Sequence, residues 1–390
     1  MKPRVLALGA VMALTLAACG QPGGGGGGSQ AEEGTIKVAV MDAQSGQLST
    51  FGIETIRGAQ MAFDEINERG GVTVGGQQYR FDVEEVDLQS DPAIAAQAAQ
   101  EAITGDGAQI IVGATPSALS EPIAGVVLRS GGRALHLAAA TSLDKYAGKG
   151  DPIFRTLTPD DLTAQQYISV LKNEFPDVST VSALMINDAV GTSIMDIYPP
   201  EFEKSGMQVV SKDTFPTEET NFAPLIQRTP NNVDAFFIGY SDPVSVALVN
   251  AAIEANRGKV FFNRGSVCQV GIDAGTKIDA YTCVIYTEDP LNPSTDKAKD
   301  FFARYEKKFD RKVDSNSAQA LYYYDYIFLL AQAIEKAGTT EDMNKVADAL
   351  RGSSYEGVVD VGFDEDGVNK SPIKVGIVRD GQMSVIATEE

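Results

Sequence analysis

Residues 35–71 read TIKVAVMDAQSGQLSTFGIETIRGAQMAFDEINERGG, and the change of period inside this stretch decides the fold. Ile36–Met41 is a short apolar run of the kind presented by a strand buried on both faces. Ile53, Ile56, Ala59, Phe63 and Ile66 then recur at helical spacing, and Gly70-Gly71 stops the helix. A buried strand followed by an amphipathic helix is the opening of a βαβ unit, which needs a parallel sheet to complete it.

The alternation continues outward. Phe81–Val86 reads as the next strand, followed by a helix from Pro92 to Ile103 with Asp91 as its N-cap and proline at its first position. Strands at Gln109–Val112 and Arg133–Leu137 enclose a helix at Ser117–Leu128. The pattern then restarts. Helices at Leu162–Phe175, Thr192–Lys204, Asn221–Gln227 and Val244–Ala255 alternate with strands at Val178–Ile186, Gln208–Ser211, Val233–Gly239, Lys259–Phe262 and Cys283–Tyr286. Three helices follow, Lys297–Lys308, Ser317–Ala337 and Glu341–Leu350, and strands at Gly357–Phe363, Ile373–Val378 and Met383–Ala387 close the chain. Two βαβ series without a long linker predict an α/β protein of two Rossmann-like lobes sharing a hinge.

The front of the chain has a different composition. Lys2 and Arg4 flank the start of an apolar run, Val5–Leu16, that is too short to span a bilayer and ends in small residues. This is the layout of a secretory signal. Leu16-Ala17-Ala18-Cys19 resembles the bacterial lipobox, which implies removal of residues 1–18, lipidation of Cys19 and an extracytoplasmic, membrane-anchored product. An ordinary signal whose cleavage site adjoins a Cys is the alternative. Gly20–Gly34, with Gly23–Gly28 unbroken, reads as a flexible tether reaching on the order of 20 Å. It follows no strand and opens no helix, so it is not a phosphate loop.

Three cysteines are present, and Cys268 and Cys283 remain after Cys19, in a compartment where disulfides persist. They are expected to pair, free thiols being the alternative. With a single histidine, no zinc site is expected. The formal net charge of −21 repels polyanions, so no nucleic-acid partner is expected, and the dispersed acids read as a solvated surface. No later segment has ~18 consecutive apolar residues, which leaves the lipid as the expected membrane contact. Tryptophan is absent, so recognition rests on Tyr and Phe.

From about Ile36 to the end, the body resembles the type I periplasmic binding proteins of the leucine/isoleucine/valine group. The marks are Ile36-Lys37-Val38-Ala39-Val40, Gly52 leading into Arg57-Gly58-Ala59, Gly70-Gly71-Val72, Asp87-Leu88-Gln89-Ser90-Asp91-Pro92, Ile111-Val112-Gly113, and Tyr324-Asp325-Tyr326 through Ala337-Gly338. The resemblance implies three crossings between lobes, near Phe154–Pro159, Tyr286–Pro290 and Tyr355–Gly362. These assign 35–156 and 287–355 to one lobe and 157–286 and 356–390 to the other, closing on ligand by hinge bending. It implies a monomer without cofactor that passes a small solute to the membrane subunits of an ABC importer. Asp325 is read as a helix-packing or surface carboxylate.

Ligands of parallel sheets lie outside the carboxyl ends of the strands, where helix N-termini point at them. Ser117 opens a helix there, and its hydroxyl with the Ala118 N–H suits a carboxylate. Plain N-capping is the alternative. Ala138-Ala139-Ala140-Thr141 looks like the family's second ligand loop, with the Ala139 carbonyl toward an amine and the Thr141 hydroxyl toward a carboxylate. Phe51, in a turn between Thr50 and Gly52, and Tyr240, at a strand end of the other lobe, look like the family's ligand-covering aromatics. Core packing is their alternative.

Two departures concern the amine. The acid expected on the second lobe falls at Gly265, between Arg264 and Ser266, and the second aromatic expected after Asn187-Asp188-Ala189 is Val190. An ammonium unpaired in a closed cleft is costly. Either Asp188 or Asp242 takes over as counter-ion, or the ligand lacks an ammonium, and Arg264 then becomes a candidate for a second ligand anion. An intramolecular ion pair is its alternative. Catalysis is not expected: His136 lies inside a strand, and no Gly-x-Ser-x-Gly elbow, Walker A sequence or Gly-x-Gly-x-x-Gly after a strand occurs. A sensing partner of a receptor or kinase is the alternative to import.

Overall fold

The computed structural model describes residues 34–140, 151–187, 189–216, 219–238, 242–265, 268–369 and 371–388, with the side chains of 189, 190, 242 and 243 also left aside. The signal segment, Cys19 and the tether ahead of Gly34 lie outside the described residues.

The first unit is β1 (Gly34–Asp42), α1 (Ser49–Glu68), β2 (Val72–Val74), β3 (Gln77–Asp87), α2 (Pro92–Glu101), β4 (Ile110–Val112), α3 (Ser117–Arg129), β5 (Leu135–Ala138) and β6 (Ile153–Arg155). Its strands form a six-stranded sheet in the order β2-β3-β1-β4-β5-β6, parallel except for the β2–β3 pair. Ile36 and Val38–Met41 are buried, as the double-sided apolar run requires. Asp91 caps α2 through the Ala93 N–H at 2.7 Å.

The second series is α4 (Asp160–Glu174), β7 (Thr180–Ile186), α5 (Ala189–Ser205), β8 (Gln208–Phe215), α6 (Ala223–Arg228), β9 (Ala235–Ile238), α7 (Asp242–Glu254), β10 (Val260–Asn263), α8 (Gln269–Ala274) and β11 (Ala280–Ile285). Then come α9 (Asp296–Phe309), a 3-10 turn (Ser315–Tyr322), α10 (Tyr324–Ala337), α11 (Met343–Leu350), β12 (Ser354–Glu356), β13 (Asp360–Gly362), β14 (Lys374–Arg379) and β15 (Gln382–Ala387). The second sheet runs β15-β14-β11-β10-β9-β7-β8, and β14 and β15 join it antiparallel. Chain order and spatial order therefore part company. Helices α9–α11 share a core with the first sheet, whereas β14 contributes Val375 and Ile377 to the core around Tyr167, Tyr198 and Phe237.

Cys268 and Cys283 form a disulfide with Cα atoms 5.3 Å apart, tying the residue before α8 to β11. A Cβ at Gly376 of β14 would overlap both sulfurs, so a glycine lies beneath the bridge.

Two expectations change. The helix expected over Ser317–Ala337 is broken at Tyr323 (φ −125°, ψ −28°) into the 3-10 turn and α10. The single strand expected over Gly357–Phe363, where the third crossing was placed, is instead the β12–β13 hairpin. Buried Asp325 on α10 accepts the Val358 and Val359 N–H groups at 3.0 and 2.9 Å, and Phe363 meets Phe154 with ring centroids 5.0 Å apart. These contacts hold the hairpin on the first core, and the chain reaches the second core at Ile373. The helix-packing reading of Asp325 fits this position.

Helix α1 lies against the 3-10 turn at Gly58, where a Cβ would overlap the Ala320 carbonyl. Alanine normally favours a helix over glycine by up to ~1 kcal/mol. Here Gly58→Ala should instead destabilise the protein by about 1–3 kcal/mol, because α1 must withdraw from backbone rather than from a flexible side chain. Urea unfolding checks the sign, and a gain in stability would contradict this packing.

Candidate functional site

In the first sheet β1 lies between β3 and β4, so the chain leaves β1 toward one side and later returns on the other. A crevice opens where the order reverses, at the carboxyl ends of β1 and β4. Asp42, the last residue of β1, is fully buried there. Its Oδ1 accepts the Ala43 N–H and its Oδ2 the Thr115 N–H, both at 2.8 Å. Burial pushes this carboxyl up to about 6 against the pull of these amides and of the Thr55 and Thr115 hydroxyls. Thr115 Oγ1 lies 2.8 Å from Thr55 Oγ1 and 3.1 Å from the Tyr323 hydroxyl, which accepts the Ala139 N–H at 3.0 Å. The loop after β1 is pinned from β3: Asp87 accepts the Gln44 and Ser45 N–H groups at 2.8 and 3.2 Å, and the Ser90 hydroxyl accepts Leu48 N–H at 3.0 Å.

The first-lobe candidates sit around this network. Ser117 is the first residue of α3, and Pro116 occupies the N-cap position without a side-chain cap. The Leu119 and Ser120 N–H groups both return to the Pro116 carbonyl at 3.0 Å, which leaves the leading end of α3 at the crevice, with Ala118 exposed. Ala139 is buried, with its N–H on Tyr323. Phe51 lies in the first turn of α1 rather than in a preceding turn, because Gly52 lets the helix start against the Ala43 carbonyl, where a Cβ would overlap. Its ring is 43% exposed. Thr141, Asp188 and Tyr240 lie outside the described residues, as does the side chain of Asp242, which opens α7.

In the second sheet the order reverses between β7 and β9. Asn263, at the end of β10, accepts the Gly265 N–H at 2.8 Å and donates to Ser245 at 3.3 Å and to the Tyr281 hydroxyl. Arg264 reaches Asp160 in the first turn of α4, Nη2 to Oδ1 at 2.6 Å, and lies 3.4 Å from the Tyr286 hydroxyl. Burial works against the charge, but the Asp160 carboxylate together with the Tyr286 and Tyr198 hydroxyls more than offsets it and holds the guanidinium above its ordinary value. The carboxylate on Arg264 is thus one of the chain's own, which is the ion-pair alternative. Asp160 carried no signal in the sequence beyond an acid at a helix start. Asp42, Thr55, Thr115 and Tyr323 also went unread, although an acid ending an apolar strand at a switch point was the one visible clue.

His136 is fully buried in β5, with Nε2 on the Gly113 carbonyl. That partner requires the proton on Nε2, while Nδ1 has no hydrogen-bond partner among the described residues. Among those residues no His/Cys/Asp/Glu group is arranged to hold a metal, and no helix is long and apolar enough to cross a membrane.

The model of the periplasmic binding protein family matches residues 35–382, and the chain belongs to that family, in its type I, leucine/isoleucine/valine group. A leucine-, isoleucine-, valine-, threonine- and alanine-binding protein of Pseudomonas aeruginosa is 25% identical over 341 residues, 85% of this chain and 87% of that one. The structure of a leucine-binding protein from Thermotoga maritima superposes with a TM-score of 0.72 at 21% identity, covering 91% of this chain and 99% of that one. A Streptococcus pneumoniae substrate-binding protein in complex with isoleucine gives 0.72 at 22%, covering 91% and 100%. A solute-binding protein from R. palustris in complex with benzoate gives 0.70 at 16%, covering 91% and 96%. At the level of the family, the chain is a solute-binding protein and not an enzyme.

Burial lowers the His136 imidazole from 6.5 to about 4, the Gly113 carbonyl opposing only in part. The unfolded chain therefore takes up a proton as pH falls through 6.5 while the folded chain does not until about 4. Acid favours unfolding across that window, by on the order of 3 kcal/mol at its lower end. The single imidazole of an untagged sample should stay neutral down to about pH 5 in an NMR titration, and a midpoint near 6.5 would contradict this burial.

Proposed function

We propose that this chain is the extracytoplasmic, Cys19-anchored binding subunit of an ABC importer, and that it closes two lobes on a small carboxylate-bearing solute. The observation that carries the reading is the leading end of α3 at the switch point of the first sheet, with Ser117 in its first turn. Backbone N–H groups and the positive end of the helix dipole favour an anion at that place. Thr141, which follows β5 in sequence, is the second anchor in this reading. Isoleucine and benzoate, the ligands of two structural neighbours, share a carboxylate and little else, which accords with a conserved anion site and a variable remainder.

The second lobe supports a narrower choice. Gly265 occupies the position where the amino-acid binders of this group carry an acid, and Asp160 is engaged by Arg264. An ammonium would therefore depend on Asp188 or Asp242. Branched-chain amino acids are accordingly expected to bind weakly, and submicromolar leucine binding would contradict this.

Native mass spectrometry of the purified protein should identify a carboxylate carried through purification. Calorimetry with that compound should then show Ser117→Ala and Thr141→Ala each weakening it about tenfold, the loss of one hydrogen bond to a charged group. Unchanged affinity in both variants would remove the proposed anchors.

A further inference from the structure

We propose that Tyr323 is a positioning residue for solute capture: its buried hydroxyl ties the loop before α3 to the loop after β5 and so sets the gap between the two candidate carboxylate-binding loops. The inference rests on the anion site proposed above, but its structural half can be tested without any ligand.

The geometry is a continuous chain of hydrogen bonds. At one end the Ala139 N–H donates to the Tyr323 oxygen at 3.0 Å. At the other the Thr55 hydroxyl donates to the Phe51 carbonyl at 3.4 Å. Between them lie Tyr323–Thr115 at 3.1 Å and Thr115–Thr55 at 2.8 Å. In the Tyr323–Thr115 and Thr115–Thr55 contacts either oxygen can donate, and the Asp42 carboxylate beside Thr55 and Thr115 competes for their protons. Burial, with the Asp42 carboxylate adding to it, holds the phenol protonated well above its ordinary range, so the hydroxyl keeps a proton to give while its oxygen accepts the Ala139 N–H. The chain thus joins Ala139, the residue two before Ser117, and Phe51, which are the three places where the first lobe offers a candidate ligand contact.

Backbone conformation points the same way. The apolar period of Ser317–Ala337 suits one continuous helix, yet the chain breaks it at Tyr323 and nowhere else in that stretch. The break leaves Tyr323 between the 3-10 turn and α10, fully buried, with its hydroxyl beneath the loops. A phenylalanine would fill the same volume. It would lack the oxygen that hydrogen-bonds Ala139 and Thr115.

The test is Tyr323→Phe in the full chain, with Tyr305→Phe as control. The Tyr305 hydroxyl meets Glu54 and Arg57 rather than the loops. In the Tyr323 variant, hydrogen exchange followed by mass spectrometry should rise together in peptides covering 113–118 and 137–140, by about tenfold or more, with β7 unchanged. Exchange that is unaltered in these peptides, or raised throughout the chain, would overturn the proposal. For affinity, L-isoleucine and benzoate serve as probes. Tyr323→Phe should weaken whichever probe the parent protein binds by about tenfold, whereas Tyr305→Phe should lower the melting temperature and leave affinity unchanged. Equal affinity loss in both variants would reduce Tyr323 to a purely structural role. Failure of the parent protein to bind any carboxylate would count against the anion site, and the exchange result would still decide the part played by Tyr323.

Discussion

The first lobe is organised around a carboxylate that the fold buries at the end of its central strand. An ionised Asp in that place is costly unless its lone pairs are met, and Asp42 meets them with two backbone amides and two neighbouring hydroxyls. One of those amides belongs to Thr115, so the loop leading into α3 takes its position from the carboxylate. The same charge polarises the Thr55–Thr115–Tyr323 hydroxyls, and through them the loop after β5. Its raised pKa means that the folded chain holds the proton more tightly than the unfolded chain between about pH 4 and 6, so this group weakens stability as pH rises through that window. A group held ionised at neutral pH against such a cost fits an orienting role better than a stabilising one.

The second lobe solves the corresponding problem without net charge. Asn263 takes the place of a carboxylate at the strand end, giving its oxygen to Gly265 and its amide protons to Ser245 and Tyr281. The one charged pair described nearby, Arg264 with Asp160, is internally neutral. The two strand ends thus differ in charge, a buried carboxylate on β1 against a neutral amide on β10.

The fold was largely legible because its signals are local. A strand buried on both faces and a helix with one apolar stripe each leave their own period, and the double glycine at 70–71 ends α1, both residues having positive φ. What escaped depended on partners far away in sequence. Val358 and Val359 extend an apolar run that reads as strand, yet their amides belong to Asp325, 33 and 34 residues earlier. The break at Tyr323 answers to Thr115, 208 residues away, and Thr115 in turn to Asp42 at a separation of 73. The start of α3 at Ser117 was legible because a helix start is a local event. The network beneath it was not, because no period or spacing encodes it.

The same reasoning bears on how two such lobes can move. The first and third crossings lie side by side: Arg155 N–H donates to the Gly367 carbonyl and Asn369 N–H to that of Arg155, both at 2.9 Å. Side chains extend the strip, Asn369 Nδ2 to the Thr156 carbonyl at 3.1 Å and Thr158 Oγ1 to that of Ser371 at 3.2 Å. The second crossing is fastened separately, Thr287 to the Ala318 carbonyl at 3.2 Å and Glu288 to Lys374 of β14. Two strands bonded into one strip resist sliding past each other but still bend across their width, since bending asks only for small torsional changes while shear would break the ladder. A strip bonded this way therefore favours rotation of one core relative to the other over translation.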